Sequence, residues 1–155
     1  MEDLFEISFL TLLVCREINH CLSKKALRLG LTPLELQVLW AVVRSGEATT
    51  LELARLVASP KVDVESTLIT LEADGLVTKR YAAHSHMRLI GATNDGEALI
   101  RSLPACRDCG CALSDLQPEA VRLFVEQAYQ LVSVFRGSEI TEQLRNLTSK
   151  SLPHA

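Results

Sequence analysis

An excess of basic residues is the first thing this sequence lacks. Its 16 lysines and arginines stand against 19 aspartates and glutamates, a formal net charge of −3 over 155 residues. That excludes a basic tail, so any nucleic-acid contact has to come from a local patch. A disulfide framework is missing too: five cysteines are too few and odd in number, which points to free thiols in a reducing cytosol. There is no long hydrophobic run. The apolar stretch from Leu4 to Val14 is broken by Glu6 and is too short to cross a bilayer. Acids stand where a signal peptide would carry its basic region, and no small-residue cleavage site follows, so the expectation is a cytoplasmic protein without a membrane partner. Catalytic motifs are absent as well: no nucleophile–histidine arrangement with a supporting motif, no glycine-rich phosphate loop and no HExxH. Asp63 and Glu65 read as solvated charges on a helix face, and no enzymatic activity is expected. Without repeats, low-complexity tracts or linkers, the chain reads as a single domain, 1–155.

What is present is a run of helices with clean punctuation. Residues from Asp3 to Leu29 read as a helix that Gly30 stops. Phe5, Phe9, Leu12 and Leu13 fall on one side of it, and Leu4, Ile7, Leu10 and Val14 on another. A helix apolar on nearly all sides requires a larger core or a subunit interface. In "LTPLELQVLWAVVRSG", Thr32 is the N-cap, Pro33 the first helical residue and Glu35 the third, with Leu36, Leu39, Trp40 and Val43 as the apolar face. "TTLELARLVA" repeats the pattern from Thr49 or Thr50. "SPKVDVESTLITLEADG" repeats it with Ser59 as cap, Pro60 in the first position and Gly75 as the stop, and turns Val64, Leu68 and Leu71 inward.

The period then changes. "LVTKRYAAHSHMRLIGAT" is strand-like on both sides of a polar middle, residues 83–86, and predicts a β-hairpin. Helices return after Gly96, weakened by Pro104 and Gly110. Gln117–Arg136 is strongly amphipathic through Leu123, Phe124, Gln127, Leu131 and Phe135, and a last helix runs from Ser138 to about Lys150. The fold class is therefore mainly α with a small β-hairpin wing: a winged helix-turn-helix with flanking helices.

Several short elements in this order sharpen the reading. Leu31-Thr32, Leu53-Ala54, Leu71-Glu72, Gly75-Leu76-Val77, and Thr93 with Gly96 fall at the spacing seen in regulators of the MarR (multiple-antibiotic-resistance) family, which the segment from about Leu31 to Leu99 resembles. The resemblance implies a DNA-binding lobe over 31–96 and dimerisation helices over 1–30 and 97–150. It implies a homodimer on a pseudo-palindromic double-stranded operator, regulating transcription. A small-molecule or metal effector acting at the junction of lobe and dimer helices is left open. The alternative is a winged-helix dimer that has lost DNA binding and serves as a protein-interaction or sensor module.

The candidate DNA contacts are Lys61, Ser66, Thr67 and Thr70 on the recognition helix, and Lys79, Arg80, His84, His86 and Arg88 on the wing. The chain departs from the family here. Where the family's wing carries an Asp-x-Arg element, this sequence has His84, Ser85 and His86, with Arg88 two residues on. Residues 24–88 hold nine Lys/Arg against seven Asp/Glu, a weakly positive field. Protonation of the two histidines would strengthen phosphate contact at lower pH.

"CRDCGC" supplies Cys106, Cys109 and Cys111. A Cys-x-x-Cys spacing lets two thiolates converge on one metal ion or close a short disulfide loop. Three readings stay open: small packing residues, a thiol redox switch, or a zinc site whose fourth ligand would come from Cys15, His20 or Cys21. Cys15 and Cys21 are six apart and cannot both point the same way on one helix.

Overall fold

The computed structural model describes residues 2–82, 87–103 and 117–149, and the side chains of these apart from 2–5 and 7. Two threonine–glutamate pairs decide where its central helices begin. The first helix, α1, spans Glu2–Arg28 and ends at Gly30, whose φ of +71° suits glycine. Thr32 then caps α2, Pro33–Ser45: its N–H donates to Glu35 Oε2 at 2.7 Å and its Oγ1 accepts from Glu35 N–H at 3.2 Å. Thr49 repeats this box with Glu52 at 2.7 and 3.3 Å, and starts α3, Thr50–Leu56. Each box satisfies two backbone donors that a helix start leaves open.

The next helix, α4, runs Lys61–Ala73. Its start differs from expectation by one residue. Pro60 occupies the N-cap, Lys61 is the first helical residue, and no side chain caps it. The short connection leaves α3 through Ala58, held at φ +54°, and Ser59 N–H bonds back to Ala54. The Ser59 backbone is thus part of the turn that closes α3.

The hairpin is present as β2, Val77–Tyr81, and β3, Arg88–Ala92, paired antiparallel with Lys79 opposite Ile90 and Tyr81 opposite Arg88. A two-residue strand that the sequence pattern did not signal, β1 (Glu47–Ala48), adds to the other edge of β3, giving the order β1-β3-β2. Thr93 then caps α5, Asn94–Arg101, which begins before the Gly96 where helix was expected. Thr93 Oγ1 accepts from Gly96 N–H at 3.1 Å and donates to the Gly75 carbonyl at 2.7 Å, tying α5 to the end of α4. Gly96 is required by a close approach: a Cβ there would lie 2.1 Å from the Leu76 carbonyl oxygen.

These elements close one core. Leu39, Val38 and Val42 of α2, Leu53 of α3, Val64, Leu68 and Leu71 of α4, Ile90 of β3 and Ile100 of α5 are all essentially inaccessible. The helix α2 is buried more widely than one face. Val38, Ala41 and Val42 join the expected Leu36 and Leu39, while Trp40 and Val43 pack at the edge. From α1 only the last turns take part, through Leu22 and Ala26, with Leu29 just beyond its end.

Two further helices follow: α6, Pro118–Arg136, and α7, Ser138–Ser149. They clasp each other through the Arg145–Glu126 ion pair at 2.9 Å and a Tyr129–Thr148 hydroxyl bond. Both helices also reach the lobe: Arg44 of α2 donates to the Thr148 carbonyl of α7 at 3.2 Å, and Arg136 at the end of α6 donates to the Arg55 carbonyl at 2.7 Å. Among the described residues no single helix is long and apolar enough to cross a membrane.

Candidate nucleic-acid interface

The face built by α4 and the hairpin carries most of the candidate contacts. Strand alternation puts Lys79, Tyr81 and Arg88 on one side of the wing, with the buried Val77 and Ile90. Lys61, Tyr81 and Arg88 line one groove of about 600 Å³ with Thr49, Thr50 and Glu65. Lys79 and Arg88 meet again beside Ile69 and Glu65. Three of the expected cations, Lys61, Lys79 and Arg88, are thus brought around α4 and the wing, while Arg80 alternates to the other side of the hairpin.

Each of them has a partner within the protein. Lys61 pairs with Glu65 at 3.2 Å along α4, and Lys79 bridges to Glu72 at 2.5 Å. Arg80 of β2 reaches across β3 to bind Glu47 on β1. The hydrogen bond from Arg80, aided by its charge, holds the Glu47 carboxyl below the usual carboxylate range. Arg88 donates to the Tyr81 hydroxyl at 3.3 Å and sits 5.7 Å from its ring centre. That bond lowers the Tyr81 phenol from its ordinary value and raises the Arg88 guanidinium, with lesser contributions from the charges of Glu72 and Glu65. The face is therefore not a bare cationic patch but a set of cations each held by an acid or a phenol. The pairs of Lys61 and Arg80 are exposed and contribute little in water, so a phosphate competes for them at small cost; the Lys79 side chain is more covered.

The hydroxyl candidates separate. Ser66 and Thr70 lie exposed on α4. Thr67 does not: at 8% exposure it is buried, which corrects its expected place on the outward face. The inward arc of α4 takes in Thr67 beside Val64, Leu68 and Leu71, and a threonine methyl fits that arc. His84 and His86 lie outside the described residues, as do Cys106, Cys109 and Cys111. Cys15 is exposed on α1 and Cys21 is buried, so the two diverge as helix geometry requires, and His20 is exposed. Among the described residues no three His, Cys, Asp or Glu side chains come together as a metal site.

Sequence reasoning missed two of the carboxylates that hold the cations, Glu47 and Glu72. Glu47 is recognised only once β1 is seen to pair with β3, and Glu72 only once β2 folds back on α4. It also missed a cavity of about 450 Å³ where α1, α2 and α7 meet. Leu22, Leu36, Trp40, Leu56, Leu144 and Leu147 line it, with Lys25 and Gln37 as polar groups.

With this geometry in view, comparison with known proteins is informative. A family model described as "Sugar-specific transcriptional regulator TrmB" matches residues 26–91. No curated protein matches the sequence. Among solved structures, the chain is similar to a mutant MarR from E. coli complexed with operator DNA, at TM-score 0.69 and 17% identity, over 84% of this chain and 96% of that one. It is similar to CouR from Rhodococcus jostii RHA1 bound to p-coumaroyl-CoA, at TM-score 0.69 and 21% identity, over 83% and 90%. It is also similar to the transcriptional regulator SlyA, at TM-score 0.65 and 16% identity, over 94% and 98%. The fold of this chain is that of the MarR-type winged-helix regulators.

Proposed function

We propose that the protein is a homodimeric, DNA-binding transcriptional regulator of the MarR type, acting in the cytoplasm and responsive to a small, largely apolar effector. The observation that carries the DNA reading is the α4–wing face. A helix with exposed Ser66 and Thr70 stands beside a hairpin, with Lys61, Lys79 and Arg88 along the grooves between them and Arg80 on the other side of the hairpin, bound to Glu47. A helix of this size enters a major groove, and a wing contacts the adjoining backbone. Phosphates displace the internal carboxylates from the cations, which makes affinity modest and salt-dependent.

Dimerisation is supported by exposed apolar side chains on the flanking helices. On α1 these include Phe9, Leu12 and Leu13; on α6 they include Leu123, Phe124, Leu131 and Phe135, and no residue of α6 is buried. Surfaces of this kind mark an interface. The cavity supports the effector reading. Its volume lies in the range of ligand pockets, and it touches α1 and α7 as well as α2. An effector there acts only through differential affinity for two arrangements of lobe and helices. Trp40, the single tryptophan, lines the cavity, so its emission reports occupancy directly.

The competing reading, a protein-interaction module without DNA binding, is favoured by one observation: the acids Glu47, Glu65 and Glu72 that occupy the cations. A mobility-shift titration at low salt with duplex from upstream of the gene and with a random-sequence pool separates the two. A shift lost on adding salt is the expected result. A folded protein that retains no duplex would leave the interaction module standing.

A further inference from the structure

Direct readout of sequence in a major groove needs side chains aimed away from the protein along the recognition helix. On α4 that line is defined by burial. Val64, Thr67, Leu68 and Leu71 point inward. At 3.6 residues per turn, the opposite line is Val62, Ser66, Ile69 and Ala73. All four are exposed, Val62 at 70% and Ile69 at 64%. Lys61, Glu65 and Glu72 lie to one side of the line, Asp63 and Thr70 to the other.

The composition of this line is informative. No arginine, asparagine or glutamine occurs anywhere in α4. The commonest bidentate readers of guanine and adenine are therefore missing from it, and the one lysine, Lys61, sits off the line and holds Glu65 at 3.2 Å. What the line presents is two aliphatic side chains with a hydroxyl between them. In the major groove the only apolar feature of a base pair is the thymine 5-methyl group, which lies beside the O4 acceptor.

We propose that Val62 and Ile69 are the specificity-determining residues of this helix and read thymine methyl groups, with Ser66 bonding an adjacent O4 or adenine N6, so that the preferred half-site is rich in A·T pairs. The inference rests on the DNA-binding reading and deepens it. From Val62 to Ile69 the helix advances about 10 Å, the span of about three base pairs. Ile69 also borders the groove holding Lys79 and Arg88, so the methyl-reading line is continuous with the phosphate-binding cations. A protein partner fits the line less well. Two aliphatic residues separated by Ser66, with Glu65 and Asp63 on either flank, do not make the continuous run of anchors that a docked helix or a stable interface requires.

Selection of duplexes from a random-sequence pool by the full-length protein at low salt, followed by replacement of single thymines with deoxyuridine, tests this. Deoxyuridine keeps the base pair and removes only the methyl. The selected sites are expected to be A·T-rich. Each contacted thymine is expected to lose about fourfold in affinity on replacement. Ile69→Ala or Val62→Ala is expected to weaken binding to the thymine duplex and to abolish the thymine-over-deoxyuridine preference at its own position. Both residues are exposed, and circular dichroism melting checks that the variants remain folded. Equal binding of thymine and deoxyuridine duplexes by the wild-type protein would overturn the proposal. So would a thymine preference unchanged in both variants, which would assign the effect to DNA shape. If no duplex is retained at all, the DNA-binding reading itself fails, an outcome distinct from binding without methyl preference.

Discussion

The winged-helix lobe and the helix α6 use apolar residues in opposite ways. In the lobe, Leu39, Leu53, Leu68, Leu71, Ile90 and Ile100 bury one another completely within a single chain. In α6, a stripe just as regular stays exposed, with Phe135 at 80% and Val134 at 78%. The lobe's core is complete in one chain; the stripe on α6 is left uncovered by the described residues. Periodicity marks both as apolar faces but does not say whether the other half lies in the same chain.

Altering the stripe is the strongest way to break this contrast. Phe124→Lys with Leu131→Lys is expected to leave the lobe folded and to convert the protein to monomer in sedimentation. DNA affinity should fall by at least about a hundredfold as the second half-site is lost. A double variant that stays dimeric would place the interface elsewhere. Inside the lobe the reverse holds. Leu39→Ala should lower unfolding free energy by about 2–5 kcal/mol in a denaturant titration, the cost of a cavity in a close-packed core. Leu12→Ala on the exposed part of α1 should cost the monomer far less, so similar losses from both would erase the distinction.

Smaller changes sharpen it. Glu72→Gln removes the acid that holds Lys79 and faces Arg88. Duplex affinity at low salt should rise about two- to fivefold, as expected from the strength of a surface pair. Ala58→Gly relieves a left-handed alanine and should stabilise the lobe by about 0.5–1 kcal/mol, read as a raised denaturation midpoint. The least effect belongs to Glu47→Gln. Because the Glu47 pKa is lowered by Arg80, the pair contributes above the ordinary carboxylate value and is lost as pH falls through the lowered one. The difference in Tm between wild type and variant should be small at neutral pH and vanish in acid.

Much of the fold was legible because it is encoded locally. The Thr32–Glu35 capping box, the Gly30 and Gly75 stops and the change of period at Val77 each announce themselves within a few residues. What was not legible depends on elements that meet across the chain. Glu47, 33 residues before Arg80 in sequence, becomes relevant to it only when β1 pairs with β3. Thr67 looks polar in sequence but falls within the buried arc of α4. The candidate cations were readable as residues, whereas Glu47 and Glu72, the acids that hold Arg80 and Lys79, were not. Their restraint is a property of the fold.

Salt dependence of duplex binding probes that restraint most directly. Lys61, Lys79, Arg80 and Arg88 give eight cations per dimer, an upper bound of about −7 for the slope of log affinity against log salt. Partial retention of their acids should bring the measured slope to between about −2 and −7, with two chains per duplex. A folded dimer that binds no duplex at low salt, or binds with no salt dependence, would contradict a DNA-reading role for the α4–wing face.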